Sequence, residues 1–244
     1  MDDVNFENVT FTDKFQPLPS LTISFVKYNN KIFNTKAGPI RITSHGIPKL
    51  GKYIMDDDHR TYIDIPLDKN QPSCTKLENH LQKADTYFSS MDVKYKLFGA
   101  GFSKHEYRPI IKKKNSSQKI DEYLKIKFNM KRNSNDNNKI LTIIKLNGVQ
   151  IKANTITEIG SIIKFRSVIQ FIFSYQKINS YKMWNSGKNV QVYSVSLLMH
   201  EISVGKCYVD QPLPCCNLKD IKDMYKNFID NKKNQFNKCI SVEI

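Results

Sequence analysis

The stretch that decides the fold is residues 163–175, with the sequence IKFRSVIQFIFSY. Apolar and aromatic residues recur at almost every second position, so one side of an extended chain would carry Ile163, Phe165, Ile169, Phe171, Phe173 and Tyr175. Alternation with a period of two is typical of a β-strand with one buried face. Because most strands have about five or six residues, we expect a strand this long to bend or to coil around a barrel.

The same alternation predicts further strands at 21–28, 40–43, 62–67, 181–184 and 191–199. Another strand has Leu124, Ile126, Phe128 and Met130 on one side and Tyr123, Lys125 and Lys127 on the other. Two segments instead have helical spacing. One starts at a capping box formed by Thr75 and Glu78 and carries its apolar stripe at 77, 81, 84, 88 and 91. The other is residues 218–231. The sequence therefore predicts a mainly β (α+β) protein with about two helices.

Positive charge is concentrated in the middle of the chain. The 244 residues have a net charge of +15, and residues 93–200 contain 20 Lys and Arg against 5 Asp and Glu, so the flanking segments together are neutral. A lysine-rich codon bias would spread lysine evenly and would not leave neutral flanks. The excess indicates a polyanionic partner, and nucleic acid is the commonest one.

Charge and patterning together divide the chain into three parts. Residues 1–92 are predicted to form an N-terminal β extension plus a helix packed on the core, 93–205 a basic nucleic-acid-binding core, and 206–244 a C-terminal helix and tail. No apolar run reaches the roughly 18 residues that span a membrane. The acidic, polar start lacks the layout of a signal or transit peptide. We therefore expect a soluble protein from a reducing compartment, with no membrane partner.

Residues with catalytic or metal-binding chemistry form no recognisable site. The G-x-G-x-x-G, P-loop and G-x-S-x-G motifs are absent. The run DDDH at 56–59 is interpreted as a solvated acidic turn, because consecutive carboxylates on an extended chain point to opposite sides. The five cysteines include no C-x-x-C pair, and the spacing of His200, Cys207, Cys215 and Cys216 matches no zinc motif. We expect no metal, no cofactor and no catalytic residue.

A protein that binds single-stranded nucleic acid needs cations along the phosphates and flat side chains on which bases stack. The sequence places both residue types on single β faces. The candidate nucleic-acid-binding residues are Tyr107, Arg108, Lys112, Lys113, Lys114, Tyr123, Lys125, Lys127, Lys164, Arg166, Tyr181, Lys182, Trp184 and Lys188. Each aromatic could equally be an ordinary strand residue, since strands favour aromatics. Neither predicted helix is basic, so a helix that reads duplex DNA is not expected.

Several short motifs resemble those of the single-stranded-DNA-binding proteins of large nucleocytoplasmic DNA viruses. They are HGIP at 45–48, DDHRTY at 57–62, IPL at 65–67, YRPI at 107–110, YLKIK at 123–127 and Trp184 before a strand, within about residues 38–205. The resemblance implies an OB-fold-like β-barrel core, distantly similar to phage-type single-strand-binding proteins. Those proteins often end in an acidic tail that recruits polymerase. Residues 237–244 contain one acid, Glu243, so recruitment through a tail is not expected here.

The sequence thus predicts a non-enzymatic protein that binds single-stranded DNA without sequence preference. The resemblance implies a role in viral DNA replication, recombination and repair, in the host cytoplasm at the viral replication site or in the virion, with replication proteins as further partners. RNA binding or genome packaging remains open, because charge does not separate RNA from DNA. A metal-dependent nuclease is disfavoured, because the basic segment contains only five acids. The oligomeric state is also open.

Overall fold

The computed structural model describes residues 4–50, 56–57, 60–115, 120–131, 139–185 and 188–205, with the backbone alone at 115, 120, 184, 185, 188 and 189. The elements follow in this order: a 3-10 turn (Phe6–Asn8), β1 (Val9–Phe11), β2 (Phe15–Leu18), β3 (Leu21–Tyr28), β4 (Lys31–Arg41), β5 (Tyr62–Pro66), α1 (Pro72–Ser89), α2 (Met91–Phe98), a 3-10 segment (Gly99–Lys104), β6 (His105–Arg108), β7 (Ile111–Asn115), β8 (Ile120–Phe128), β9 (Met130–Lys131), β10 (Lys139–Ile140), β11 (Ile143–Leu146), β12 (Val149–Ile151), α3 (Ile156–Ile162), β13 (Val168–Asn185) and β14 (Lys188–Gly205).

The long strand predicted over 163–175 begins later and runs further than the sequence pattern indicates. It starts at Val168 and ends at Asn185. The preceding residues form α3, and a turn connects that helix to the strand. In this turn the backbone N–H of Lys164 donates to Ser167 Oγ at 2.9 Å, and Arg166 has a φ of +69°. The prediction that Lys164 and Arg166 lie on a strand face is therefore wrong.

The hairpin of β13 and β14 organises the sheet. One edge of β13 pairs with β4 and then β3, and its other edge pairs with β14. The outer edge of β14 pairs in parallel with β6, β8 and β11 in turn. Strand β8 itself lies between β5 and β7, both antiparallel to it. The prediction of a mainly β protein is confirmed. In the described part of the chain the sheet does not close into a barrel. Three α-helices are present there, whereas the sequence predicted about two in all, one of them outside the described residues.

The main apolar core of the described residues lies between the sheet and the helices. Leu77, Leu81, Ala84 and Phe88 of α1 are buried at its centre, as the helical spacing predicted. The fifth predicted position was wrong, because Met91 lies in α2 and is 67% exposed. The start of the helix was predicted wrongly. The helix begins at Pro72, so the expected capping residues Thr75 and Glu78 lie inside it. Proline suits the first turn of a helix, because the backbone N–H groups there have no partner within the helix.

The N-terminal strands and the basic segment belong to one sheet, because β3 and β4 pair directly with β13. The three-part division at 92 and 205 stays a prediction. The predicted helix at 218–231 and the cysteines beyond 206 lie outside the described residues. Among the helices that the structure does describe, none is long and apolar enough to cross a membrane.

Gly38 in β4 provides a test of how closely β4 and β13 approach. It has a φ of +105°, and an added Cβ would lie 2.6 Å from the carbonyl oxygen of Ile169 and 2.8 Å from the Cα of Gln170. Gly38→Ala should therefore lower the free energy of unfolding by at least about 2 kcal/mol, measured by urea denaturation. Gly160→Ala is the matched control, because a Cβ there meets no atom within 4 Å. We expect it to raise stability by up to about 1 kcal/mol. Equal stability of the two variants would contradict the close approach.

Candidate nucleic-acid interface

Strand β8 turns its apolar residues into the core and leaves cations on the opposite side. Leu124 and Ile126 are fully buried, whereas Lys125 and Lys127 are exposed and Tyr123 is half-buried. The alternation confirms the two faces expected from the sequence. We name the side that carries the two lysines the outer face of the sheet, because the core covers the other side.

Strand β7 adds two lysines to the outer face. Lys112 lies directly opposite Tyr123 of β8, and Lys114 lies opposite Asp121. Directly opposed residues of antiparallel strands project on the same side of a sheet. The Lys112 ammonium also donates a hydrogen bond to the carbonyl oxygen of Pro109 at 2.5 Å, which fixes its direction.

Strand β5 supplies an aromatic ring to the same surface. Tyr62 lies opposite Lys127 across the β5–β8 pair. The ammonium of Lys125 lies 3.5 Å from the centroid of the Tyr62 ring. A cation above an aromatic face is attracted by the quadrupole of the ring, so this contact holds the lysine in place without neutralising its charge.

Two further cations come from the long hairpin and from β6. Lys177 of β13 is opposite Ser196 of β14, and Arg108 of β6 is beside Ser194 of β14. The two serines are two residues apart on one strand and so share a face. Lys127 also contacts this region, since β8 pairs with β14 at that residue.

These residues form one electrostatic cluster, which we name the cationic face: Arg108, Lys112, Lys114, Lys125, Lys127 and Lys177. The pKa of Lys127 is lowered by desolvation first, then by Lys177 and Lys125. The pKa of Lys112 is lowered by burial, opposed by Asp85, and lowered further by Lys125 and Arg108. By strand register, Asp64 lies opposite Lys125 and Asp121 lies opposite Lys114, so the six cations outnumber these two carboxyl groups. The mutual repulsion of the six cations makes the face a favourable site for an anion.

A buried carboxyl group lies inside the cationic face. Asp64 is opposite Lys125, but that ammonium is over the Tyr62 ring, and Asp64 Oδ1 is buried with no hydrogen-bond partner among the described atoms. Burial raises the pKa of Asp64 to about 6, while Lys125 and Lys114 lower it by less. The carboxyl group therefore titrates just below neutral pH.

A histidine covers one side of the Tyr123 ring. His45 stacks on it with 4.7 Å between the ring centroids and 25° between the planes. The next residue, Gly46, exchanges two backbone hydrogen bonds with Asp64, at 2.7 and 3.0 Å, which anchors the loop. Burial lowers the pKa of His45, so the imidazole is neutral at pH 7. A base could stack only on the opposite side of Tyr123.

Two of the predicted binding residues do not join the cationic face. The Tyr107 hydroxyl donates to Asp85 Oδ1 at 2.6 Å, and its ring lies 5.1 Å from that of Tyr193, which is fully buried. Burial, with Asp85 nearby, raises the pKa of Tyr107. Lys113 projects to the side opposite its neighbours and pairs with Glu122 at 3.0 Å. Both positions are explained by structural contacts.

The remaining predicted residues are spread over other parts of the chain. Lys164 and Arg166 are exposed in the turn before β13, where Arg166 lies 5.4 Å from the ring centroid of Phe165. Tyr181 is four residues after Lys177 in β13 and so lies on the outer face, opposite Leu21 of β3, whereas Lys182 projects to the other side. Near the end of the hairpin, the backbone of Trp184 pairs with Asn189 and that of Lys188 pairs with Asn185. The side chains of Trp184 and Lys188 lie outside the described set, so their binding role stays a prediction.

Sequence reasoning missed Lys177 and Tyr62 as members of the outer face. Tyr175 points into the core, and simple alternation would turn Lys177 the same way. Gln176 is instead an extra residue in a β-bulge, which reverses the side to which the following residues point. No local pattern in the sequence marks this bulge. Tyr62 was within a predicted strand, and its place opposite a lysine became visible only from the strand register.

The DDHRTY motif includes a structural ion pair. Arg60 is 7% exposed, and its guanidinium donates to Asp57 Oδ1 from Nε at 2.8 Å and from Nη2 at 2.6 Å. The backbone N–H of Thr157, in the first turn of α3, donates to Asp57 Oδ2 at 3.1 Å. Hydrogen bonds from Arg60 and Thr157 outweigh desolvation and lower the pKa of Asp57. The interpretation of this segment as a solvated acidic turn is therefore wrong at Asp57.

A shallow cleft of about 630 Å³ lies beside β6 and the helices. Its acidic residue Asp85 already accepts hydrogen bonds from Tyr107 and from the backbone N–H groups of Ile110 and Ile111. Its His105 ring stacks on the Phe98 ring, with 3.7 Å between the ring centroids.

Across the residues that the structure describes, no group of three or more His, Cys, Asp or Glu side chains is placed to hold a metal ion.

Comparison with known proteins shows similarity to a viral protein and to a phage protein. The chain is 29% identical over 191 residues to an uncharacterised protein of Acanthamoeba polyphaga mimivirus, covering 65% of this chain and 47% of that protein, so it spans about half the length of this relative. Its fold is similar to that of gp2.5, a single-stranded DNA binding protein encoded by bacteriophage T7, with a TM-score of 0.38 and 12% identity over 77% of this chain and 98% of the phage chain. No protein-family model matches the chain.

The buried carboxyl group of the cationic face has a measurable effect on stability. Because the folded pKa of Asp64, about 6, exceeds its unfolded value of about 3.9, its charge lowers stability at pH 7, and this cost fades as the pH falls from about 6 to about 4. Asp64→Asn should therefore raise the free energy of unfolding at pH 7 by about 1–2 kcal/mol. The gain should shrink below pH 5, as followed by urea denaturation.

Asp68→Asn is the control of opposite sign. Burial tends to raise the pKa of Asp68, but hydrogen bonds from Asn70, Gln71 and Thr43 outweigh it and lower the pKa. Removing that charge should reduce stability at pH 7. A loss of stability in Asp64→Asn at pH 7 would contradict the burial assigned to its carboxyl group.

Proposed function

We propose that the cationic face binds single-stranded DNA without sequence preference. The observation that carries the proposal is the convergence of six cations from four strands on one side of a sheet. Phosphates placed there would relieve the repulsion between the lysines and release counterions from the nucleic acid.

The shape of the surface favours a single strand over a duplex. A sheet face with exposed cations and partly exposed rings, here Tyr62 and Tyr123, offers phosphate contacts and stacking together. None of the helices α1, α2 and α3 contributes a residue to the cationic face, so no helix is presented to a major groove from this side.

We propose that the protein binds without catalysis and acts in viral DNA replication, recombination and repair. The motifs within residues 38–205 and the mimivirus relative support a viral setting. The host cytoplasm at the replication site, or the virion, would be the compartment, and replication proteins would be further partners. RNA binding is the competing function of the same surface, since phosphates and stacked bases are common to both nucleic acids.

A competition titration tests the ligand. We expect oligo-dT to bind at least about tenfold more tightly than duplex DNA of equal length, because stacking requires unpaired bases. Oligo-rU serves as the RNA arm. Equal affinity for duplex would indicate a generic basic coat and contradict the proposal, and stronger binding of oligo-rU would assign the surface to RNA.

A second prediction concerns charge. Lys125→Ala and Lys127→Ala should each weaken oligo-dT binding several-fold and reduce the slope of log K against log salt by about 0.7, the value for one phosphate contact on a single strand. Lys76→Ala is the matched control, since Lys76 is exposed on α1 and distant from the outer face of the sheet. A slope that is the same in all four proteins would contradict the role of the cationic face.

Trp184 permits a test of the stacking prediction at the end of the hairpin. It is the only tryptophan in the chain, so its fluorescence reports on one position. If it stacks on bases, saturating oligo-dT should quench it strongly, and Trp184→Ala should weaken binding by about 1–3 kcal/mol at an unchanged salt slope. Unchanged fluorescence, with a variant that has lost about 3–5 kcal/mol of stability, would identify a core residue.

A further inference from the structure

An exposed aromatic pair lies beyond the cationic face on the same sheet. The rings of Phe15 in β2 and Phe25 in β3 stack with 5.8 Å between centroids and 24° between planes. Phe15 is 45% exposed and Phe25 is 39% exposed. Leu18, at the end of β2, is 57% exposed and extends the apolar area. Large apolar groups exposed together, unlike single ones, indicate a binding surface.

Strand register places this pair on the outer face. Phe25 is directly opposite Lys177, a member of the cationic face. Phe15 is opposite Ile23, which is two residues before Phe25 on β3 and therefore on the same side. Ile23 is only 6% exposed yet does not belong to the main core cluster. The aromatic pair and its neighbours thus form a small apolar cluster of their own on the outer side.

The cluster is continuous with the cationic face. From Lys127 in β8, the outer face passes to Leu198 and then Ser196 of β14, and on over Lys177 in β13 to Phe25 in β3. Measured across the strands, three spacings of about 4.8 Å give roughly 14 Å. Lys27, two residues after Phe25, is exposed on the same side. Cations therefore lie on both sides of the aromatic pair.

We infer that Phe15 and Phe25 form a base-stacking subsite for the same single strand whose phosphates contact the cationic face. The inference rests on the proposed function and extends it to the path of the strand, which crosses β8, β14, β13 and β3. An aromatic pair flanked by lysines suits unpaired bases, because phosphates and bases alternate along the strand as cations and rings do along this path. A purely apolar protein partner would gain nothing from the lysines.

Oligonucleotide length provides the test. Oligo-dT ligands across the range of about 4–16 nucleotides should divide into short ones, held by the cationic face alone, and long ones that reach Phe25. Phe25→Ala and Phe15→Ala should weaken binding of the long ligands by about 5- to 150-fold and leave the short ligands and the salt slope unchanged. Phe25→Tyr should retain the affinity and Phe25→Leu should lose it, because only the former keeps a ring.

Tyr95→Ala is the matched control, since Tyr95 is 62% exposed on α2, away from the sheet face, and its loss should change nothing. Thermal melting of each variant checks the fold. If Phe15→Ala and Phe25→Ala bind long oligo-dT as the wild type does while Lys127→Ala binds weakly, the subsite is overturned and the proposed function stands. If Lys125→Ala and Lys127→Ala also bind normally, the proposed function itself fails.

A second copy of the chain is the competing occupant of the aromatic pair. Sedimentation velocity of the protein without DNA separates the two possibilities. A wild-type dimer that Phe25→Ala converts to monomer, at unchanged affinity per protomer for long oligo-dT, would overturn the stacking subsite. A wild-type protein that sediments as Phe25→Ala does, together with the length-dependent loss of affinity, would support it.

Discussion

Backbone pairing between β13 and β14 is the constraint on which the rest of this structure depends. The two strands pair from Val168 with Gly205 to Asn185 with Lys188. Every larger part of the sheet attaches to this hairpin. The N-terminal strands β3 and β4 use the free edge of β13, and β6, β8 and β11 divide the free edge of β14 between them. The candidate interface depends on both strands of the hairpin. Lys177 lies in β13 itself, whereas Lys127 and Arg108 lie in strands that pair with β14.

The candidate interface combines charges that would repel one another in isolation. A protein that gathers lysines on one surface accepts a cost in folding free energy, which a polyanionic ligand can return as binding free energy. The Tyr62 ring moderates this cost, because it holds the Lys125 ammonium by a contact that leaves the charge available. The buried Asp64 carboxyl group instead adds a cost at pH 7, since burial raises its pKa to about 6.

The parts that could be predicted from sequence are those governed by local periodicity. The two faces of β8 and the buried stripe of α1 follow from spacings of two and of three to four residues, and both are as expected. The strand prediction was wrong before Val168, because Lys164 and Arg166 after the seven-residue helix α3 alternate with apolar residues as they would in a strand. The roles of Lys177, Tyr62 and Asp64 depend on which strands are neighbours and at what register. That information is carried by contacts between residues far apart in the chain, and no short window of sequence contains it.

The bulges of the hairpin have a consequence for how this chain can change in length. Gln176 is an extra residue in β13, and His200 is an extra residue in β14, so the register shift between Ile172 and Phe173 is cancelled between Tyr175 and Lys177. The pairing is offset only over the short stretch between them. Deleting Gln176 alone would turn Lys177 inward and Ile178 outward, and it would leave the rest of the hairpin out of step with β14. The two insertions form a matched pair, and a relative that lacks one of them should lack the other as well.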